Sequence, residues 1–433
     1  MQSEAGTLHK TVLEEIERVR PDAVRISRSI HGHPELGLQE RWASAFLAEE
    51  ARKRGFEVEA PVAGLSTAFA ARYTSPKPGP KVGFLCEYDA LPGLGHACGH
   101  NIIAAASCAA AFALKTLAEK LGGSVFLFGT PDEEAMSEES KGGKVIMSRA
   151  GLFRDLDAVF MTHPAGGSDA AWRYNFPLKD FTIRFKGRPA HYTQPEKGIN
   201  ALEALLLCIA NLNALKRAWS PSVLLAYTIT DGGGQSAIIV PETAKAHFTL
   251  KTFDSAYMDK LFGEIRSCVE AVSGMTGASG EVTVLDEYRC TIPNLNLAAG
   301  LFRHLRALGA DVENPLDSRR DLERQRYPGT STDFSDVSWE APAIHGYCGI
   351  GAGLVLHTPE FAAAAASEAG DEGMIRAASA MALTAADILS DPDYAARVRG
   401  EFEAYRQAGF RGVPGIPPDF VPFPREFAEL FGA

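Results

Sequence analysis

The chain reads as an α/β protein: a mostly parallel sheet with helices on both faces, into which a smaller α+β unit of ferredoxin-like order is inserted. Three observations point there. Short apolar strands without alternation are separated by helical stretches, the pattern of strands buried on both faces. The middle of the chain changes to alternating strands in the order β-α-β-β-α-β. A length of 433 residues exceeds what one ordinary core serves, so two units are expected.

Taken in order, Val12, Leu13, Ile16 and Val19 recur at helical spacing, and Trp42, Phe46 and Leu47 mark a second helix. Residues 81–85 form an apolar strand that runs into Cys86-Glu87-Tyr88-Asp89-Ala90-Leu91-Pro92-Gly93. After Asn101 an Ala-rich helix extends to about Lys120 and ends at Gly122-Gly123. Residues 125–128 and 158–161 are further apolar strands, the second ended by His163-Pro164. Phe181, Ile183 and Phe185 then alternate with polar residues, as in a half-exposed strand. A helix with Leu202, Leu205, Leu206, Ile209 and Leu212 on one face follows, then strands near 223–230 and 246–252. A helix through Leu261, Ile265 and Val269 and a strand through Val282 and Val284 complete the inserted unit, placed at 177–288. The flanking segments, 1–176 and 289–433, form the other domain, with a strand at 345–350 and a helix at about 373–389. The run Arg319 to Arg326 reads as a solvated charged face.

The composition, 46% hydrophobic and 22% charged, is that of a soluble globular protein. A net charge of -11 disfavours nucleic acid and anionic membrane as partners. No stretch has the roughly 18–20 consecutive apolar residues of a membrane span. The seven scattered cysteines contain no Cys-x-x-Cys pair, which fits a reducing cytoplasm better than a disulfide framework.

The chemistry gathers at loops after strands, where open α/β sheets place their ligands. Cys98 and His100 lie two residues apart on a glycine-containing loop. Alone, the pair reads more readily as a buried cysteine beside a helix-capping histidine. Pro131-Asp132-Glu133-Glu134 puts several carboxylates directly after a strand, or else is an acid-rich helix start. Metal-assisted amide hydrolysis needs one carboxylate as ligand and another as base, and adjacent glutamates can divide those tasks. Together with His163 and His357 these residues offer sulfur, nitrogen and oxygen donors from separate loops, a number that suits two ions. The mixture fits Zn or another borderline ion rather than Mg or Ca. Glu87 and Asp89 are suited to orient metal-bound imidazoles from behind. His191, after an edge-type strand, could stabilise an oxyanion if its domain closes over the ions, or is a turn histidine.

At these residues the chain resembles the co-catalytic metallopeptidase family 20 that includes aminoacylase, hippurate hydrolase, auxin-conjugate amidohydrolases and aminobenzoyl-glutamate hydrolase. The resemblance runs in order through His31-Gly32-His33-Pro34-Glu35-Leu36, 87–92, His96 to Asn101, 131–134, Thr162-His163-Pro164, Ala190-His191, Gly329 to Phe334 and His357 to Phe361. Residues 86–101 and Ser331-Thr332-Asp333 look most like the branch with aminobenzoyl-glutamate hydrolase and dipeptidase-like animal relatives.

The resemblance implies a zinc-exopeptidase-like fold and two divalent ions, Zn foremost with Mn or Co as alternatives. Cys98, His100, Glu134, His163 and His357 would be the ligands, Cys98 the bridge and Glu133 the base. It also implies a homodimer whose inserted lid sends His191 to the partner's site. Lys251, Ser331 and Asp333 are the implied substrate contacts. Two positions depart from the pattern: residues 237–240 carry no Asn before Pro241, and Lys251 stands where relatives carry Arg. Lysine is a point charge without the bidentate fork that holds a carboxylate. The implied activity is hydrolysis of a small N-acyl or N-aroyl amide. A dipeptidase and a catalytically silent ligand-binding scaffold are the alternatives.

Overall fold

The computed structural model describes residues 4–135, 141–234, 236–292, 294–314 and 328–409; the charged run at 319–326 lies outside them. Among the described residues ten strands form two sheets, six in the order β1-β2-β4-β3-β5-β10 and four in the order β7-β8-β6-β9.

In the first sheet β3 (Lys81–Cys86), β4 (Ser124–Gly129), β5 (Ala158–Ala165) and β10 (Ala343–Gly349) run parallel. Antiparallel β2 (Phe69–Thr74) and β1 (Glu57–Glu59) extend it past β4. β1 is too brief and β2 too mixed in pattern to stand out from sequence. The parallel strands are buried almost throughout because helices cover both faces, which explains why they lack alternation.

One face carries α1 (Glu4–His31) and α3 (His100–Leu121), with α2 (Arg41–Lys53) alongside. Val12, Ile16, Val19, Ala23, Ile26 and Ile30 make the buried stripe of α1 at the spacing of one helix face. The alanines of α3 let it lie deep against the sheet. Its length and apolarity would suffice to cross a membrane, yet 89% of its most apolar window is buried within the protein. The other face is closed by α4 (Gly143–Arg149) and nearby residues Phe153 and Leu156.

The second sheet follows the ferredoxin-like order read from sequence: β6 (Leu178–Lys186), α5 (Ala201–Leu215), β7 (Leu224–Asp231), β8 (Thr243–Lys251), α6 (Ser255–Thr276) and β9 (Ser279–Tyr288). All its pairings are antiparallel. Phe181, Ile183, Phe185 and Phe248 face α5 and α6 in a core of their own. Asn200 and Asp254 cap those helices, accepting from the backbone N–H of Glu203 at 3.1 Å and of Tyr257 at 2.5 Å. The opposite face of this sheet is polar and, among the described residues, has no helix on it. It carries Asp180, Thr182, Lys245, His247 and Thr249.

The chain then returns to the first unit through α7 (Leu295–Ala307), the single turn α8 (Phe334–Val337), α9 (Pro359–Ala364), α10 (Glu368–Ser390) and α11 (Pro392–Gln407). Buried α10 packs beside α1 and α3, and α8 joins α4 on the other face. One expectation fails locally: Pro164 does not end its strand, since β5 runs on to Ala165. Beyond Phe160 this strand pairs only with β10, so one side needs no ladder donor and a proline is tolerated.

Candidate metal centre and active site

Parallel β3, β4, β5 and β10 end on one edge of the sheet, and every proposed donor outside the Cys98 loop follows or ends one of them. Glu87 and Asp89 follow β3, Glu133 and Glu134 follow β4, His163 lies near the end of β5, and His357 is in the loop after β10. Cys98 and His100 are held against β5 by Gly99, whose φ is +79°; a Cβ there would sit 2.4 Å from Pro164 Cγ.

Five non-glycine residues among those described adopt left-handed backbone, and two of those in the site's loops have their own N–H anchored. These two are Asp132, at φ 64°, and His357, at φ 62°. Such conformations cost roughly 1–3 kcal/mol and persist where surrounding contacts enforce them. Here the Asp132 N–H donates to Glu40 Oε1 at 2.8 Å, and the His357 N–H donates to Ala97 O at 3.0 Å.

The sequence-selected donors converge. The ligand atoms of Cys98, His100 and His163 lie within 4.8 Å of one another, and so do those of Cys98, Glu134 and His357. Cys98 belongs to both groups. Its Sγ is 3.3 Å from His163 Nε2, and His357 Nε2 is 3.4 Å from Glu134 Oε1.

The imidazoles are oriented from behind. His100 Nδ1 faces Asp89 Oδ1 at 2.9 Å and Asp89 O at 3.0 Å, while His163 Nδ1 faces Pro164 O at 2.6 Å. These partners only accept, so the Nδ1 atoms carry the protons and Nε2 is left as the donor atom on each ring. His100 Nε2 is buried without a hydrogen-bond partner, as is Glu87 Oε2. Buried polar atoms of this kind, converging with a thiol and carboxylates, are what a divalent cation satisfies. The residues present fit such ions.

Electrostatics agree with that fit. Burial raises the Cys98 thiol, so a cation is needed to draw it to thiolate. Burial, then Glu87, Glu134 and Asp333, raise the Glu133 carboxyl well above its usual range. Burial also acts upward on Asp89, but His100 overrides it and holds the carboxyl down to about 2.

Residues 78–384 match peptidase family M20/M25/M40. The chain belongs to that family. It is 33% identical to Xaa-Arg dipeptidase of Mus musculus, with 94% of each chain covered. It is 27% identical to a p-aminobenzoyl-glutamate hydrolase polypeptide of Escherichia coli, over 89% of this chain and 92% of that one. Among solved structures it shares its fold with a dinuclear metal binding M20 peptidase of Bacillus subtilis, at TM-score 0.61, 20% identity and coverage of 86% and 99%. An aminobenzoyl-glutamate utilization protein of Klebsiella pneumoniae superposes at TM-score 0.68, with 18% identity and coverage of 86% and 97%. The chain is thus a metal-dependent amidohydrolase of this family.

A cavity of about 500 Å³ opens from Glu133 and Glu134 toward the polar face of the second sheet. Ser331 lines it, and its buried Oγ has no hydrogen-bond partner. The other implied substrate contacts are not among the residues that line it, although the Asp333 carboxylate lies within 4.8 Å of those of Glu87 and Glu133. Lys251 does not border this cavity and donates from Nζ to Gly329 O at 3.0 Å. Asp333 is bound to Lys144, and exposed His191 bonds through Nδ1 with Thr193 Oγ1 at 2.7 Å and belongs to none of the donor groups.

Sequence reasoning passed over Lys144 and Glu40. Fully buried Lys144 bridges Glu87 Oε1 at 2.7 Å and Asp333 Oδ1 at 2.5 Å, and its N–H donates to Asp333 Oδ2 at 2.9 Å. Burial acts to lower this lysine, but Asp333 and Glu87 raise it, so it stays charged. Buried Glu40 accepts from Asp132 N and, at 3.0 Å, from Thr67 Oγ1. No local pattern announces either residue. A lysine on a short helix and a glutamate before a helix both read as surface groups.

Lys144→Met would strip two buried carboxylates of their cation. The expected loss is about 3–5 kcal/mol in denaturant unfolding. A change within about 0.5 kcal/mol, the scale of an ordinary surface substitution, would contradict this role.

Proposed function

We propose that this chain hydrolyses the amide bond of a small N-acyl or N-aroyl amino acid or related conjugate at a centre of two divalent ions. The observation that carries the reading is the gathering of Cys98, His100, Glu134, His163 and His357 around Glu133. Thiolate, imidazole and carboxylate together favour Zn, with Mn or Co as alternatives. Cys98, shared by both donor groups, is the candidate bridging ligand.

When bound, the ions would polarise the substrate carbonyl and acidify water. Glu133, whose Oε2 is 3.8 Å from His100 Nε2, takes the proton from the attacking water and returns it to the leaving amine. Asp89 fixes the His100 ring, and Lys144 holds Glu87 and Asp333 in place. A second reading, a dipeptidase, is favoured by the mouse and human relatives named Xaa-Arg dipeptidase.

Residues 177–288 are proposed as a lid that also dimerises. Exposed Tyr192, Ile238 and Ile239 surround His191, and edge strand β7 exposes Tyr227 and Ile229. Apolar side chains of this size on a free strand edge fit a second copy of the chain. His191 would then stabilise the oxyanion in the partner's site. The seven free cysteines support a reducing, cytoplasmic setting.

The metal-reconstituted protein is expected to hydrolyse part of a panel of N-acetyl, N-benzoyl and dipeptide substrates. Glu133→Ala should lose about a hundredfold or more in kcat with its metal retained; normal turnover by that variant would sink the mechanism. Sedimentation of the purified chain should give a dimer, and a monomer at micromolar concentration would refute the proposed assembly.

A further inference from the structure

The wall of the cavity that faces Glu133 and Glu134 carries two aspartates directly opposite each other. Asp180 on β6 pairs in register with Asp286 on β9, and both line the cavity. Like charges so placed across a strand pair oppose folding, so the pair calls for a reason.

Asp180 has its partners within the sheet. His247 bonds to its Oδ2, and Thr249 Oγ1 donates to its Oδ1 at 2.5 Å. Asp286 is different: it is 4% exposed, and its Oδ1 has no hydrogen-bond partner. The cation that acts on it, Lys141, donates to the carbonyls of Val284 at 3.0 Å and Leu285 at 2.7 Å. Lys245 also borders the cavity. Burial first, then Asp180, pushes the Asp286 carboxyl up to about 7. A buried acceptor on a cavity wall, in a doubly acidic setting, is matched by a positively charged donor.

We propose that Asp286, with Asp180 beside it, receives a cationic side chain of the substrate, an ammonium or guanidinium, while the amide lies at Glu133. This deepens the amidohydrolase reading and rests on it. The substrate class becomes amides and dipeptides with a lysine-like or arginine-like group. A cation in the cavity restores the charged form of Asp286 and screens it from Asp180. A neutral chain of equal length leaves the carboxyl unpaired, and an acidic one is repelled by both aspartates.

The test uses the full, zinc-loaded chain with Ala-Lys, Ala-Arg, Ala-norleucine and Ala-Glu, measuring kcat/KM for each. Calorimetric binding of L-lysine and L-norleucine gives a readout free of turnover. Lysine and arginine peptides should exceed norleucine by about tenfold or more, with glutamate lowest, and L-lysine should bind correspondingly tighter. Asp286→Asn should bring lysine and norleucine level in both measurements; should that variant not fold, the wild-type series decides alone. Equal handling of lysine and norleucine by the wild type, or an unchanged ratio in Asp286→Asn, would overturn the proposal. Failure to cleave any amide, in this series or the wider panel, would strike the amidohydrolase reading, and the lysine-binding comparison would still decide the cation site.

Discussion

Buried negative charge at the end of the parallel sheet is the constraint around which this protein is organised. Glu87, Asp89, Glu133, Glu134 and Asp333 are drawn together where solvent is scarce. Two like charges 4 Å apart repel by about 4 kcal/mol at an effective dielectric constant of 20. Lys144 compensates Glu87 and Asp333, and His100 Nδ1 hydrogen-bonds Asp89. The remaining carboxylates and the outward Nε2 atoms of His100 and His163 are a demand for cations. Divalent ions meet that demand and bring the Lewis acidity that amide hydrolysis requires.

The fold meets the constraint by geometry. Four parallel strands aim their following loops at one edge, so donors far apart in sequence arrive without long excursions. The left-handed backbone at Asp132 and His357 and the close approach at Gly99 then fix the last few ångströms. The second sheet adds the opposite wall of the cavity. It covers one face with its own helices and turns a polar face toward the cavity. On the proposed reading, one wall would serve the reacting bond and the other what is attached to it.

Much of this was legible in the residues. Runs such as Val82 to Leu85 and Val125 to Phe128 announced strands buried on both faces, and Phe181, Ile183 and Phe185 announced a sheet with one core side. The candidate donors were legible only as a set: each alone reads as readily as a structural residue, but together they fall at strand ends, in loops and at the start of α3 on one edge of the sheet. Lys144, Glu40 and Asp286 were not, because their meaning lies in partners far along the chain: Lys144 with Asp333, Glu40 with Asp132, Asp286 with Asp180. Pro164 misled for a related reason. Whether a proline ends a strand depends on which neighbour needs its missing N–H, and that is a property of the sheet rather than of the segment.

Cys98 is the point at which the two donor groups meet, so a dinuclear centre depends on it. Elemental analysis after zinc reconstitution and exhaustive dialysis is the direct measurement. Two equivalents of zinc per chain are expected for the wild type, with loss of both on Cys98→Ala because that sulfur belongs to each group. A wild type that retains no zinc, or a Cys98→Ala protein that still holds two equivalents, would contradict this assignment.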